Sequence, residues 1–138
     1  MLIDGNFINS GMLEIEVGGF ESGMHDFLEI AGTASFLEHS LISFLPWDDY
    51  DFSDILPQQS ETLEFLYAAG GISNYYAAVV FDEGFLPDGF EYNIFNDGHS
   101  LSLEVINTVP IPSAFWLFAT AIMLGSRFMV RGERGQEN

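Results

Sequence analysis

The sequence predicts a mainly β fold: an antiparallel β-sandwich or the end of a β-solenoid over residues 1–108, followed by one C-terminal hydrophobic, transmembrane helix. Three observations lead there. Short runs with an apolar residue at every second position recur through the first 108 residues, separated by Gly, Asp, Asn and Pro. No ten-residue stretch before Pro110 carries a helical period, "SETLEFLYAA" being the nearest rival. All 3 basic residues lie beyond residue 126, on the far side of an aromatic, uncharged run.

Taken in order, Leu13, Ile15 and Val17 alternate with Glu14 and Glu16, which is the pattern of a strand with one dry and one wet face. "GNFINSG" before it and Gly18-Gly19 after it supply the turns. "FLEIAG", "TASFLEHSLISFL", "TLEFLYAA" and "YYAAVVF" continue as short β-favouring runs. "FEYNIF" and "SLSLEVI" both alternate, and "NDGH" between them holds an Asp-Gly pair suited to the positive φ of a tight turn, so a β-hairpin is predicted there. At "VPIPS" the character changes: two prolines exclude a central strand, Ser113 can cap a helix, and no charge follows until Arg127. The boundary falls near Thr108, giving an acidic β domain over 1–108 and a tail over 109–138.

A chain of 138 residues allows one modest domain and an appendage. Of its 21 acidic residues, 19 precede Val109, where there is no base at all. A body this acidic repels phosphate backbones, which excludes nucleic acid as a partner and leaves cations, neutral glycans or basic proteins. The absence of cysteine excludes disulfides, thiol catalysis and Cys-based zinc sites. "MLIDGNFINSGMLEIEVGG" has neither the basic start nor the apolar stretch of a signal peptide; an exported chain needs one, so a missing N-terminal part is expected.

Ser113 to Val130 is 18 residues, about 27 Å as a helix against a hydrocarbon core of roughly 30 Å. Trp116 would sit at one interface, while Arg127, Arg131 and Arg134 all fall at the other, which places the C-terminus in the cytoplasm and the acidic body outside. "VPIPSAFWLFATAIMLGSRFMVRGER" resembles the PEP-CTERM sorting signal, in its variant that begins Val-Pro-Leu-Pro-Ala. On that resemblance Val109, Pro110, Ile111 and Pro112 match the recognition motif, Trp116, Leu117 and Phe118 the aromatic start, and Arg127, Arg131 and Arg134 the basic stop. The likeness implies processing by the membrane protease exosortase, with delivery to the cell surface or an exopolysaccharide matrix. "GNFINSGMLEIEVGG", "FLEIAGTASF", "DFSDIL" and "FLPDGFEYNIFNDGHSLSLEVI" resemble the closing segment of repetitive β-solenoid surface proteins, which implies further coils upstream.

No segment names a reaction. Asp48, Asp49, Asp51 and Asp54 form a dense carboxylate loop able in principle to hold Ca²⁺, but without EF-hand spacing it reads first as a solvated loop. His25, His39 and His99 lack metal-ligand spacing. With so many acids, a two-carboxylate glycosidase pair would arise by chance, so their number carries no weight. Tyr75, Tyr76, Phe81, Phe85, Phe90, Tyr92 and Phe95 could form a sugar-binding platform, against the commoner role of filling a small β core. The expectation is a non-enzymatic surface or matrix protein without a cofactor, held at the membrane until sorted; the alternative is a secreted glycan-binding or glycan-active module.

Overall fold

The computed structural model describes residues 1–111. The chain divides into Met1–Thr108 and a second unit from Val109. Within the first unit, eleven strands follow one another: β1 (Leu2–Ile3), β2 (Phe7–Asn9), β3 (Met12–Val17), β4 (Leu28–Ile30), β5 (Ala34–Phe36), β6 (Leu41–Pro46), β7 (Ser60–Ala68), β8 (Ile72–Tyr75), β9 (Ala78–Phe81), β10 (Phe90–Asn96) and β11 (Ser100–Asn107). The first nine wind as three coils of three strands. Their pairings are all parallel: β1-β4-β7 on one side, β2-β5-β8 on the second, and β3-β6-β9 on the third. This is a three-sided β-solenoid.

The corners explain why the chain can turn so sharply. Gly5, Gly32 and Gly70 stack at the corner between the first and second sides, with Gly32 N–H donating to Gly5 O and Gly70 N–H donating to Gly32 O, each at 2.8 Å. A Cβ on Gly32 would lie 2.7 Å from Gly5 O, and one on Gly70 would lie 2.8 Å from Gly32 O. Backbone this close leaves no room for a side chain. Asn6 reinforces the corner, its Oδ1 accepting from Thr33 N at 2.8 Å.

Interior positions stack from coil to coil. Ile3, Ile30 and Ala68 share one row, and Asn9, Phe36 and Tyr75 another. Fully buried Phe44 lies edge-on to Phe65 and stacks on Phe81, with ring centroids 5.3 Å apart in both pairs. Phe52, carried on a 3₁₀ turn at Phe52–Asp54, stacks on Phe85 at 4.5 Å. The apolar rings thus fill the third coil and close its end.

The last two strands finish the stack. β11 runs antiparallel beside β7, and β10 antiparallel beside β11. This is the hairpin the sequence predicted. Its connection uses positive φ at Gly98 alone (97°), and the side chains of Asn96 and Asp97 hold it: Asn96 Oδ1 accepts from Gly98 N, Asp97 Oδ1 from His99 N and Ser100 N. Those two N–H donors hold the Asp97 carboxyl below the usual carboxylate range.

The expected fold class is corrected on two points. Six of the eight strand pairings are parallel, so the body is not an antiparallel sandwich. A solenoid strand keeps one face dry and one wet just as an antiparallel strand does, which is why alternation alone did not separate them. The second point is helical content: the 3₁₀ turn is the sole helical element among the described residues, and no helix there is long and apolar enough to cross a membrane. The stretch 113–130, in which the sequence placed a transmembrane helix, lies outside the described residues.

Candidate functional site

The long connections between coils carry the polar groups that the core does not use. Gly18 to Phe27 joins β3 to β4, and Trp47 to Gln59 joins β6 to β7. Where the two meet β7 they enclose a cleft of about 460 Å³ lined by Phe20, Glu21, Met24, Tyr50, Asp54 and Glu61, with Gly18 and Gly19 at its edge. Tight packing fixes that edge: a Cβ on Gly18 would come within 2.6 Å of the Trp47 ring. Phe20, Tyr50 and Phe52 form a mutual aromatic contact behind it, with centroids 5.7–6.5 Å apart.

Burial pushes the Tyr50 phenol up from 10.0 to about 12, with Asp54, Asp51 and Glu61 adding to the effect in that order. The cleft therefore offers a protonated phenol donor among carboxylate acceptors, an arrangement suited to hydroxyl groups or cations. The sign of the pH effect follows. Below pH 10 the phenol is neutral in both folded and unfolded chains; between pH 10 and about 12 the unfolded chain ionises first, and stability falls. Thermal unfolding followed from about pH 8 to 11 should show this loss, and Tyr50→Phe should shallow it. An unchanged slope would remove Tyr50 as its source. Burial also raises the Tyr75 phenol, so part of the slope should persist in the variant.

The aspartates of the acidic loop take separate places in the structure. Asp48 and Asp49 both occupy left-handed backbone (φ 56° and 58°), and Asp51 caps the 3₁₀ turn, accepting from Ser53 N at 2.9 Å and from the Ser53 hydroxyl. These bonds hold its carboxyl below the ordinary range, the hydroxyl contributing most. Asp54 turns instead to the cleft. Among the described residues no group of three or more His, Cys, Asp or Glu side chains is placed to hold a metal ion.

The three histidines are dispersed. His25 bridges to Val17, His39 sits in a left-handed turn (φ 69°), and His99 Nδ1 lies 3.1 Å from Ala68 O.

The seven aromatics do not form one platform. Tyr75 packs on Phe36, Phe81 on Phe44 and Tyr92, and Phe85 on Phe52, while Phe90 is half-buried against the core. Only Tyr76 and Phe95 project well into solvent. Glu21, Tyr50 and Glu61, which line the cleft, come from three separated segments, and no spacing in the sequence marks them as a group.

The Val109–Pro112 stretch begins just after the last strand. Asn107 is buried and its Nδ2 donates to Ile55 O at 2.8 Å; Thr108 N donates to Gly89 O at 2.9 Å, and Gln58 Nε2 donates to Thr108 O at 3.0 Å. Strand structure stops at Asn107. Val109 and Pro110 are exposed and Ile111 is half-buried. Pro112, Trp116, Leu117, Phe118, Arg127, Arg131 and Arg134 lie outside the described residues. Compared with protein-family models, curated proteins and solved structures, the chain matches none of them.

Proposed function

We propose that this is an exported, non-enzymatic surface or matrix protein: an acidic β-solenoid end that is held at a membrane by its apolar tail and released by cleavage at the Val-Pro-Ile-Pro motif. The observation that carries the reading is the junction. A strand end pinned on both sides by hydrogen bonds to Gly89 and Gln58 is followed at once by an exposed, strand-incompatible Val109-Pro110. A membrane protease needs an extended substrate, and Pro110 just after the last strand disfavours continuation of the sheet into the segment.

The charge distribution supports the same reading. The body carries only acids and the last twelve residues carry all 3 arginines, the asymmetry that keeps a basic end on the cytoplasmic side. In cells with an active exosortase, intact-mass analysis of the exported protein is expected to place its C-terminus between Ile111 and Ser113. A matrix-released product with its tail intact would refute the sorting role.

The cleft lined by Phe20, Tyr50 and three carboxylates supports one second reading, a glycan-binding module. A glycan array probed with the protein and with Tyr50→Ala separates the two. Binding lost in the variant favours the module, and no binding to neutral or acidic polysaccharides removes it.

A further inference from the structure

The hairpin strand β10 is an edge of the first side. Sheet order there runs β1-β4-β7-β11-β10, so β10 has β11 on one flank and no described strand on the other. Natural edges are blunted by proline, lysine or a bulge. β10 (FEYNIFN) has neither residue, and its register to β11 is unbroken from Phe90↔Asn107 to Asn96↔Leu101.

The hydrogen bonds at its two ends show which backbone groups are left over. Thr108 N donates to Gly89 O at 2.9 Å, and Asp97 N donates to Ser100 O at 3.3 Å. In an antiparallel ladder alternate residues turn both backbone groups to the same neighbour. Glu91, Asn93 and Phe95 therefore face β11, while Tyr92 and Ile94 turn their N–H and C=O groups away from it. No described backbone group meets them there.

The two faces of this edge differ. On the inner face Phe90 and Ile94 pack against the core, and the ring centroids of Tyr92 and Phe81 are 5.0 Å apart. On the outer face Glu91 and Asn93 stand opposite Ile106 and Glu104 of β11, and Phe95 stands in line with Ser102 and with Glu64 of β7. Asn93 Nδ2 donates to Glu104 Oε1 at 3.1 Å across that face. The described residues hold no Lys or Arg to balance these three glutamates.

We infer that β10 is the docking edge for an extended basic segment of a partner protein, added to the first side as a further strand and alternating basic with apolar residues. The backbone of such a segment satisfies the free groups of Tyr92 and Ile94. Its apolar side chains continue the row of Phe90, Tyr92 and Ile94, and its Lys or Arg side chains fall beside Glu91, with Glu104 one strand further on. Main-chain bonds supply affinity whatever the sequence, and the two unlike faces supply the choice. Charge decides between occupants: a second copy would bring its own Glu91 and another acidic body to the edge, whereas a basic strand meets opposite charge. The docking edge belongs to the body and is independent of cleavage at the tail.

The test is titration calorimetry of the full chain in nonionic detergent with the peptide Lys-Val-Lys-Val-Lys-Val-Lys. Binding is expected with a Kd on the order of 10 µM at about 0.05 M NaCl, roughly tenfold weaker at about 0.5 M. Amide hydrogen exchange should slow at Tyr92 and Ile94. Glu91→Gln with Glu104→Gln should weaken binding at least about fivefold, and Glu29→Gln on β4, about 14 Å from β10 across the sheet, should change it less than about twofold. Ile94→Pro deletes one outward N–H and spares the β11 ladder, so it should weaken binding at least about tenfold. If circular dichroism shows that Ile94→Pro is unfolded, the exposed-face pair Glu91→Gln, Glu104→Gln decides. Absence of binding overturns the inference, as does equal binding of Lys-Lys-Lys-Lys-Val-Val-Val or indifference to the glutamate pair. A peptide-free dimer in which the Tyr92 and Ile94 amides are already protected would give the edge to a second copy and overturn it too.

Discussion

Phe44→Ala is expected to lower stability by about 3–5 kcal/mol, the cost of emptying a large aromatic site in a closed core. Phe44 is fully buried on β6 and touches Phe65 on β7 and Phe81 on β9, so its ring joins two sides of the solenoid. Neither neighbour can follow into the void: Phe65 is itself fully buried, and Phe81 also packs against Phe52, Phe85 and Tyr92. Against a total stability of about 5–15 kcal/mol for a domain of this size, the loss should be visible as a large fall in the denaturant midpoint. A change below about 1 kcal/mol would mean that the third coil is not packed as described.

Gly32→Ala should be the second most damaging change, at about 2–3 kcal/mol, although it adds a single methyl group. The new Cβ would meet Gly5 backbone at 2.7 and 2.8 Å, and those atoms are held in place by the hydrogen bond that Gly32 itself donates. Relief requires the first two coils to separate at their shared corner. Gly11→Ala is the control, since nothing lies within 4 Å of its added carbon and its φ is not in the left-handed region. Chemical unfolding of the pair distinguishes a corner effect from a general preference for glycine: Gly11→Ala should stay within about 0.5 kcal/mol of the parent chain.

The same corner shows which parts of the fold were legible. The hairpin of β10 and β11 was, because its signals are local: two alternating runs and an Asp-Gly between them. The coils were not. "IDGNF", "IAGTA" and "AAGGI" are the three passes through one corner, and they place Gly5, Gly32 and Gly70 in a single stack. Yet Thr33 and Asn6 are 27 positions apart, whereas Ser73 and Ser35 are 38 apart, chiefly because β7 starts at Ser60 and pairs with β4 only from Leu66, and in part because the connection from Trp47 to Gln59 is longer than that from Gly18 to Phe27. Unequal coils destroy the fixed period by which stacked repeats are recognised. Parallel pairing leaves no turn signature either, since the partner lies a whole coil away. "SETLEFLYAA" shows the opposite ambiguity, its nine-residue strand β7 tolerating a helical reading because Phe65 and Leu66 are both buried at an irregularity opposite Leu101 and Ser102.

Chemistry was less legible than fold. The aspartates were visible as a dense run, but folding spends Asp51 on a cap and bends Asp48 and Asp49 through left-handed backbone. The cleft with Tyr50 depends on two connections converging on β7, and no linear pattern encodes that. The junction at Thr108 was readable because composition changes there within a few residues, from alternating strand to proline-rich segment.

The account rests on the coils being stacked in parallel with the register described, and the absence of cysteine makes that directly measurable. Ser35 and Ser73 lie on neighbouring coils with their hydroxyl oxygens 2.5 Å apart. In the double variant Ser35→Cys, Ser73→Cys, air oxidation of dilute folded protein should give an intramolecular disulfide, seen as a loss of about 2 Da and one cross-linked peptide pair after digestion. Two persistently free thiols, or disulfides formed only between chains, would contradict the parallel stack.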